Sequence, residues 1–232
     1  MADMCENWER RRYIALSNRA TGKGVVIDMY KKRLALMRYR ISTWAKIMTM
    51  LKSEVDTRMV MIDLTYRGVE DYRPGHINDY VKKLKQSVGK NLYGFAWVAE
   101  LQQRGAVHYH LVLVVKKGSR IPVPDKSGMW KHGMSKIGTA KTPYYLLVYT
   151  GKEAQKDLAR YPKSCRLYSA SLRLPEGRTR DFYSKLRELE KISFEVAKFE
   201  AGYSSGEWIF NGACVTRGYA EKVLIPSDCI VK

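Results

Sequence analysis

Apolar positions along the chain recur with two periods, near 3.6 and near 2, and their alternation predicts the elements. Over residues 29–52, Leu34, Met37, Ile41, Trp44, Ala45, Met48 and Leu51 share one face of a helix whose opposite face is basic. Residues 59–66 are rich in strand formers and end before Gly68. Pro74 opens a second helix, with Ile77, Tyr80, Val81 and Leu84 on one side, and Gly89 ends it. Residues 93–101 and 107–115 read as two strands joined by a short connector containing Arg104-Gly105, which predicts a hairpin. Thr142 and Pro143 fit the cap and first position of a helix reaching about residue 156. Residues 166–174 read as a strand, 180–200 as a charged amphipathic helix and 208–217 as a late strand. The pattern is that of an α+β sheet domain, preceded by a helical extension over the first 56 residues.

Composition narrows the class. Apolar residues make up 45% of the 232, enough for a core and too many for a disordered chain. The longest purely apolar run, residues 111–115, is far too short to cross a bilayer, and no secretory signal pattern follows Arg10-Arg11-Arg12. Cys5, Cys165, Cys214 and Cys229 are too scattered for a zinc ribbon or a redox pair. A soluble protein of a reducing, cytoplasmic compartment is expected. Its 42 basic residues against 23 acidic give a charge of +19, which calls for a polyanionic partner, most commonly nucleic acid. The excess is densest between residues 116 and 141, where Lys116, Lys117, Arg120, Lys126, Lys131, Lys136 and Lys141 face Asp125 alone. The glycines and prolines there predict a long loop or irregular hairpin. Such a loop would grip a phosphate backbone, and Trp130 on it would either stack an unpaired base or pack beneath it.

Two constellations carry chemistry. His108-Tyr109-His110 lies in the second hairpin strand, and residues two apart in a strand share a face, so both imidazoles project together. Glu100 on the first strand joins them if the connector is a three- or five-residue loop, and faces away if it is a two-residue turn. The connector lacks an Asn-Gly type pair, which favours the longer loop. Two imidazoles and a carboxylate make a three-ligand divalent site with open positions. Tyr145, Tyr149 and Lys152 stand at i, i+4 and i+7, one face of a helix, and are either core packing or a phenol with a cation beside it. A phenol with a free pKa of about 10 needs such help to act as a nucleophile.

Together, Leu64-Thr65-Tyr66 at a strand end, Gly105-Ala106-Val107-His108-Tyr109-His110, and Tyr145-x-x-x-Tyr149-x-x-Lys152 resemble the three motifs of the HUH endonuclease superfamily. The nearest likeness is to rolling-circle replication initiators of plasmids and single-stranded DNA phages. The resemblance implies a central antiparallel β-sheet with helices on its faces. It divides the chain into a basic helical extension at 1–56, a nuclease core at 57–175, and a C-terminal helix and strands at 176–232. It implies Mg²⁺ or Mn²⁺ on His108, His110 and Glu100, Tyr149 as nucleophile, Lys152 assisting, and Tyr145 as either a second nucleophile or packing. Lys116, Lys117, Arg120, Trp130, Lys131, Lys136 and Lys141 are then DNA-binding candidates. Asp63 stands where the first motif usually has threonine. His132 is an outside candidate for a further ligand.

The implied partner is single-stranded DNA at a replication origin, within the cytoplasm of a bacterial host. No phosphate-binding loop of the Gly-x-x-x-x-Gly-Lys-Ser/Thr form occurs, so a separate helicase would be required. The rival readings are a transposase or relaxase of the same superfamily, and a non-catalytic protein that binds single-stranded nucleic acid.

Overall fold

The protein is described here by a computed structural model covering residues 13–18, 24–151, 158–173, 208–210 and 213–215. Its described elements form two compact units. In the first, β1 (Tyr13–Asn18) and β2 (Gly24–Asp28) form an antiparallel pair, extended through β8 (Trp208–Phe210) and β9 (Ala213–Val215) to the order β2-β1-β8-β9. The expected wholly helical extension is therefore wrong for residues 13–28. Strands of five or six residues in a basic stretch are too short to show a clear alternation. The expected single late strand is likewise two strands, and the hairpin signal Asn211-Gly212 lies in sequence between them. The expected helix at 180–200 lies outside the described residues.

Helix α1 (Met29–Glu54) follows as the apolar stripe predicts, and from Met37 onward it belongs to the second unit. All seven stripe residues are buried. After it come β3 (Thr57–Tyr66), α2 (His76–Val88), β4 (Leu92–Leu101), β5 (Val107–Lys116) and β6 (Gly133–Thr139). A 3₁₀ turn (Pro143–Leu146) leads into the short α3 (Leu147–Gly151), and β7 (Tyr168–Leu172) completes the unit. The sheet is antiparallel throughout, in the order β6-β3-β5-β4-β7. Central strands β4 and β5 are buried almost end to end, as two-sided coverage requires.

One face carries Gly94, Ala96, Val98 and Glu100 of β4, and α1 packs there. Met48 lies against Gly94, and the Trp44 indole N–H donates to the Ser171 carbonyl at 3.0 Å. The α3 segment is tied to the same helix through Arg38 Nε, which donates to the Thr150 carbonyl at 3.2 Å. The other face carries Phe95, Trp97, Tyr109 and Tyr66, with α2 against it through Tyr80 and Lys85. No helix among the described residues is long and apolar enough to cross a membrane.

Strand β6 occupies part of the stretch expected to be a loop. It is an edge strand with an exposed Lys136 and a Met134 that is 71% exposed, so it shows none of the apolar alternation by which strands are found. Gly133 is required at its start. A Cβ there would lie 2.0 Å from the Thr65 carbonyl oxygen.

Candidate active site

Strand pairing assembles the site. Leu101 pairs with Val107, so residues 102–106 form the longer connector and Glu100 lies directly opposite His108. On the other side of β5, Asp63 lies opposite His110 and Thr65 opposite His108. Directly opposed residues share a face, so Asp63, Thr65, Glu100, His108 and His110 converge on the α1 side of the sheet. Asp63, His108 and His110 each offer a ligand atom within 4.8 Å of the others. Glu100 completes the group from the far side, with its Oε2 2.8 Å from His110 Nε2.

The two imidazoles are held in opposite states. His108 Nδ1 is 2.7 Å from Thr65 Oγ1, which leaves Nε2 to face the cluster. Burial, and after it the neighbouring His110, pushes its pKa down to about 4, so it is neutral at physiological pH. Burial opposes charge on His110 too, but Asp63 Oδ1 lies 2.8 Å from its Nδ1 and Glu100 bonds its other nitrogen. These two carboxylates outweigh burial and hold His110 above the usual imidazole range. Thr65 is in turn supported from below, where the Trp130 indole N–H donates to its carbonyl at 3.3 Å.

A neutral imidazole, a second imidazole and an oxygen donor are a set that suits a divalent ion with positions left open. Holding an ion at His110 would exchange one of its carboxylate hydrogen bonds for a bond to the metal. Asp63 was not foreseen as a ligand. Its signal was present, since it is the lone charge in an otherwise apolar strand of alternating faces.

The aromatic ring of Tyr149 stacks on His110, with centroids 3.5 Å apart and planes 15° from parallel. Tyr145 Oη is 2.6 Å from Tyr149 Oη. Thr142 caps the segment as expected, accepting from the Tyr144 N–H at 3.3 Å, but the first turn is 3₁₀ and α3 itself is five residues long. Burial, then the bond to Tyr145, raises the Tyr149 phenol above its ordinary range, so the hydroxyl is protonated as it stands. Lys152 lies outside the described residues.

The basic candidates divide. Lys131 and Lys136 are exposed at the site end of β6, and Lys136 lies opposite Asp63 on the same face. Lys116, Lys117 and Arg120 are at the far end of β5, eight residues and roughly 26 Å of strand from His108. Lys117 there pairs with Asp56 at 3.5 Å. These three do not line the site, because β6 carries the chain back toward it only after residue 132. Lys141 is exposed just beyond β6, before the turn that leads to Tyr145. Trp130 is 1% exposed and packs edge-on against Tyr66, Tyr80 and Tyr109. It is a core residue under the loop and presents no face to a base. His132 stacks on His76, centroids 3.4 Å apart, among the aromatic residues packed on the other face of the sheet, and is no ligand of this site.

No curated protein and no solved structure matches the chain. Residues 59–157, the stretch that holds every site residue from Asp63 to Tyr149, do match the family model for the replication-associated protein of the ORF2 type, a match consistent with a Rep-type rolling-circle replication initiator.

Proposed function

We propose that the chain is a rolling-circle replication initiator that nicks and rejoins single-stranded DNA at an origin, with Tyr149 as nucleophile. The stacking of Tyr149 on His110, inside a cluster of two imidazoles and two carboxylates, is the observation that carries this reading. The family match supports replication initiation, and the ordered motifs support the chemistry.

Asp63, His108 and His110, with Glu100 beside them, would hold Mg²⁺ or Mn²⁺. Such an ion, when bound, supplies charge stabilisation to a phosphoryl group and favours a phenolate. Thr65 keeps His108 in the ligating orientation. Tyr149 Oη attacks the scissile phosphorus in line, forming a phosphotyrosine bond to the 5′ side as the bond to the 3′ oxygen breaks. The phenol proton leaves through its hydrogen-bonded partner Tyr145, and the departing 3′ oxygen takes up a proton to become a free hydroxyl. Because the phosphodiester energy is kept in the tyrosyl ester, a later attack by a 3′-hydroxyl reseals a strand. Tyr145 is also close enough to the same atoms to serve as a second nucleophile. Lys152 would stabilise phosphate charge. The lack of an ATP-binding motif leaves unwinding to a separate helicase, in the cytoplasm of a bacterial host.

The test is covalent capture. Incubated with Mn²⁺ and a pool of single-stranded oligonucleotides that includes the replicon's own origin, the wild-type protein should give a denaturant-stable adduct. Tyr149→Phe should abolish it in the first round and Tyr145→Phe should not. An adduct that survives Tyr149→Phe but not Tyr145→Phe reverses the assignment. No adduct on any sequence leaves a binding protein.

A further inference from the structure

Arg104 lies in the connector between the strand bearing Glu100 and the strand bearing His108. Its Nε donates to Gln102 Oε1 at 3.0 Å, and its two terminal nitrogens donate to the carbonyls of Tyr66 and Arg67 at the end of β3. Gly105, at φ +86°, supplies the left-handed turn that follows it. Three neutral oxygens thus fix the guanidinium in place, and none of them neutralises it. No carboxylate pairs with Arg104 among the described residues. A guanidinium has five N–H donors, so one remains on each terminal nitrogen after these three bonds. The residue is nevertheless exposed, and its charge reaches His108, where it is a minor contributor to keeping that ring neutral.

An exposed arginine ordinarily loses rotamer freedom when it binds a ligand. Here that ordering accompanies folding, so the fork is preset for a planar, bidentate acceptor carrying negative charge. Phosphate is that acceptor in a site built for phosphoryl chemistry. We propose that Arg104 is a phosphate-binding residue of this site, gripping the DNA backbone on the hairpin side of His108 while the Tyr66 and Arg67 carbonyls hold it in position. The inference rests on the DNA-nicking reading above.

A latch that only fastens the hairpin to β3 is the competing role, and salt dependence separates the two. Affinity for a labelled single-stranded oligonucleotide of random sequence is measured over a series of NaCl concentrations, alongside the melting temperature. Arg104→Gln should weaken binding and lower the slope of log K against log salt by about 0.7, the value of one phosphate contact on a single strand. Arg104→Lys should keep the slope, because the charge remains, and lose affinity several-fold, because the fork is gone. A latch lowers the melting temperature in both variants and leaves the slope of each unchanged, and that result overturns the proposal. If Arg104→Gln fails to fold, Arg104→Lys decides alone: wild-type affinity sinks the bidentate grip. A wild-type protein that binds no single-stranded DNA would instead overturn the functional reading, and this one with it.

Discussion

At the scale of the residue, the hydroxyl of Thr65 fixes which nitrogen of His108 is offered to the cluster. Replacing it by valine keeps the shape and removes the bond. Outer partners of ligating histidines are commonly worth about 10–100-fold in metal affinity. Thr65→Val should therefore weaken Mn²⁺ binding by roughly that factor, as read by calorimetric titration, with little change in thermal stability. The stacked pair His76 and His132 makes a separate, pH-dependent prediction. Burial lowers both imidazoles, so the folded chain binds protons less readily than the unfolded one, whose value is near 6.5. Their contribution is complete above that value and is lost as pH falls below it. The melting temperature should drop on acidification from about pH 7.5 to 5, and part of that drop should vanish in His76→Asn/His132→Asn. Much of the site was legible at this scale. His108, His110 and Glu100 share a face because of strand periodicity and connector length, whereas Asp63 joins them only through β3–β5 register, which one strand's sequence does not contain.

At the scale of the element, β3, β4, β5, α1 and α2 were readable because each buries an apolar face with a single period. Strand β6 was not, because an edge needs only its backbone to pair. Its start depends on one small residue. Gly133→Ala drives a methyl into the Thr65 carbonyl, which is backbone and cannot swing aside. The expected cost is about 1–3 kcal/mol or more in denaturant unfolding, and Mn²⁺ affinity should fall with it because Thr65 is displaced. Trp130 invites the opposite expectation from that of a base-stacking residue. Trp130→Ala should cost about 3–5 kcal/mol of stability, seen as a lowered denaturation midpoint, rather than a selective loss of DNA affinity.

At the scale of the whole molecule, the charge of +19 is unevenly spread along the chain, but the basic segment after β5 is not one surface. Lys116 and Lys117 lie at one end of the sheet and Lys131 at the other, because the chain turns back along the β3 edge. Linear density hid that reversal. Ion binding should be visible globally as well. A ligand that binds only the folded state raises stability as its concentration exceeds its dissociation constant. Mn²⁺ should thus raise the melting temperature of the wild type and raise it less, or not at all, in Asp63→Asn, as measured by calorimetry.

The tyrosine segment is fastened differently from the rest of the site. The histidines and carboxylates stand on strands locked by continuous backbone ladders. Tyr149 hangs on one short helical turn, held by the buried Pro143 and Leu146, the Arg38 bond and the ring stack on His110. A DNA strand joined to Tyr149 would transmit tension to that turn alone. Under load the nucleophile can be drawn off its seat without unzipping a strand, so the arm that carries the cargo can yield while the anvil beneath it keeps its shape for the next end.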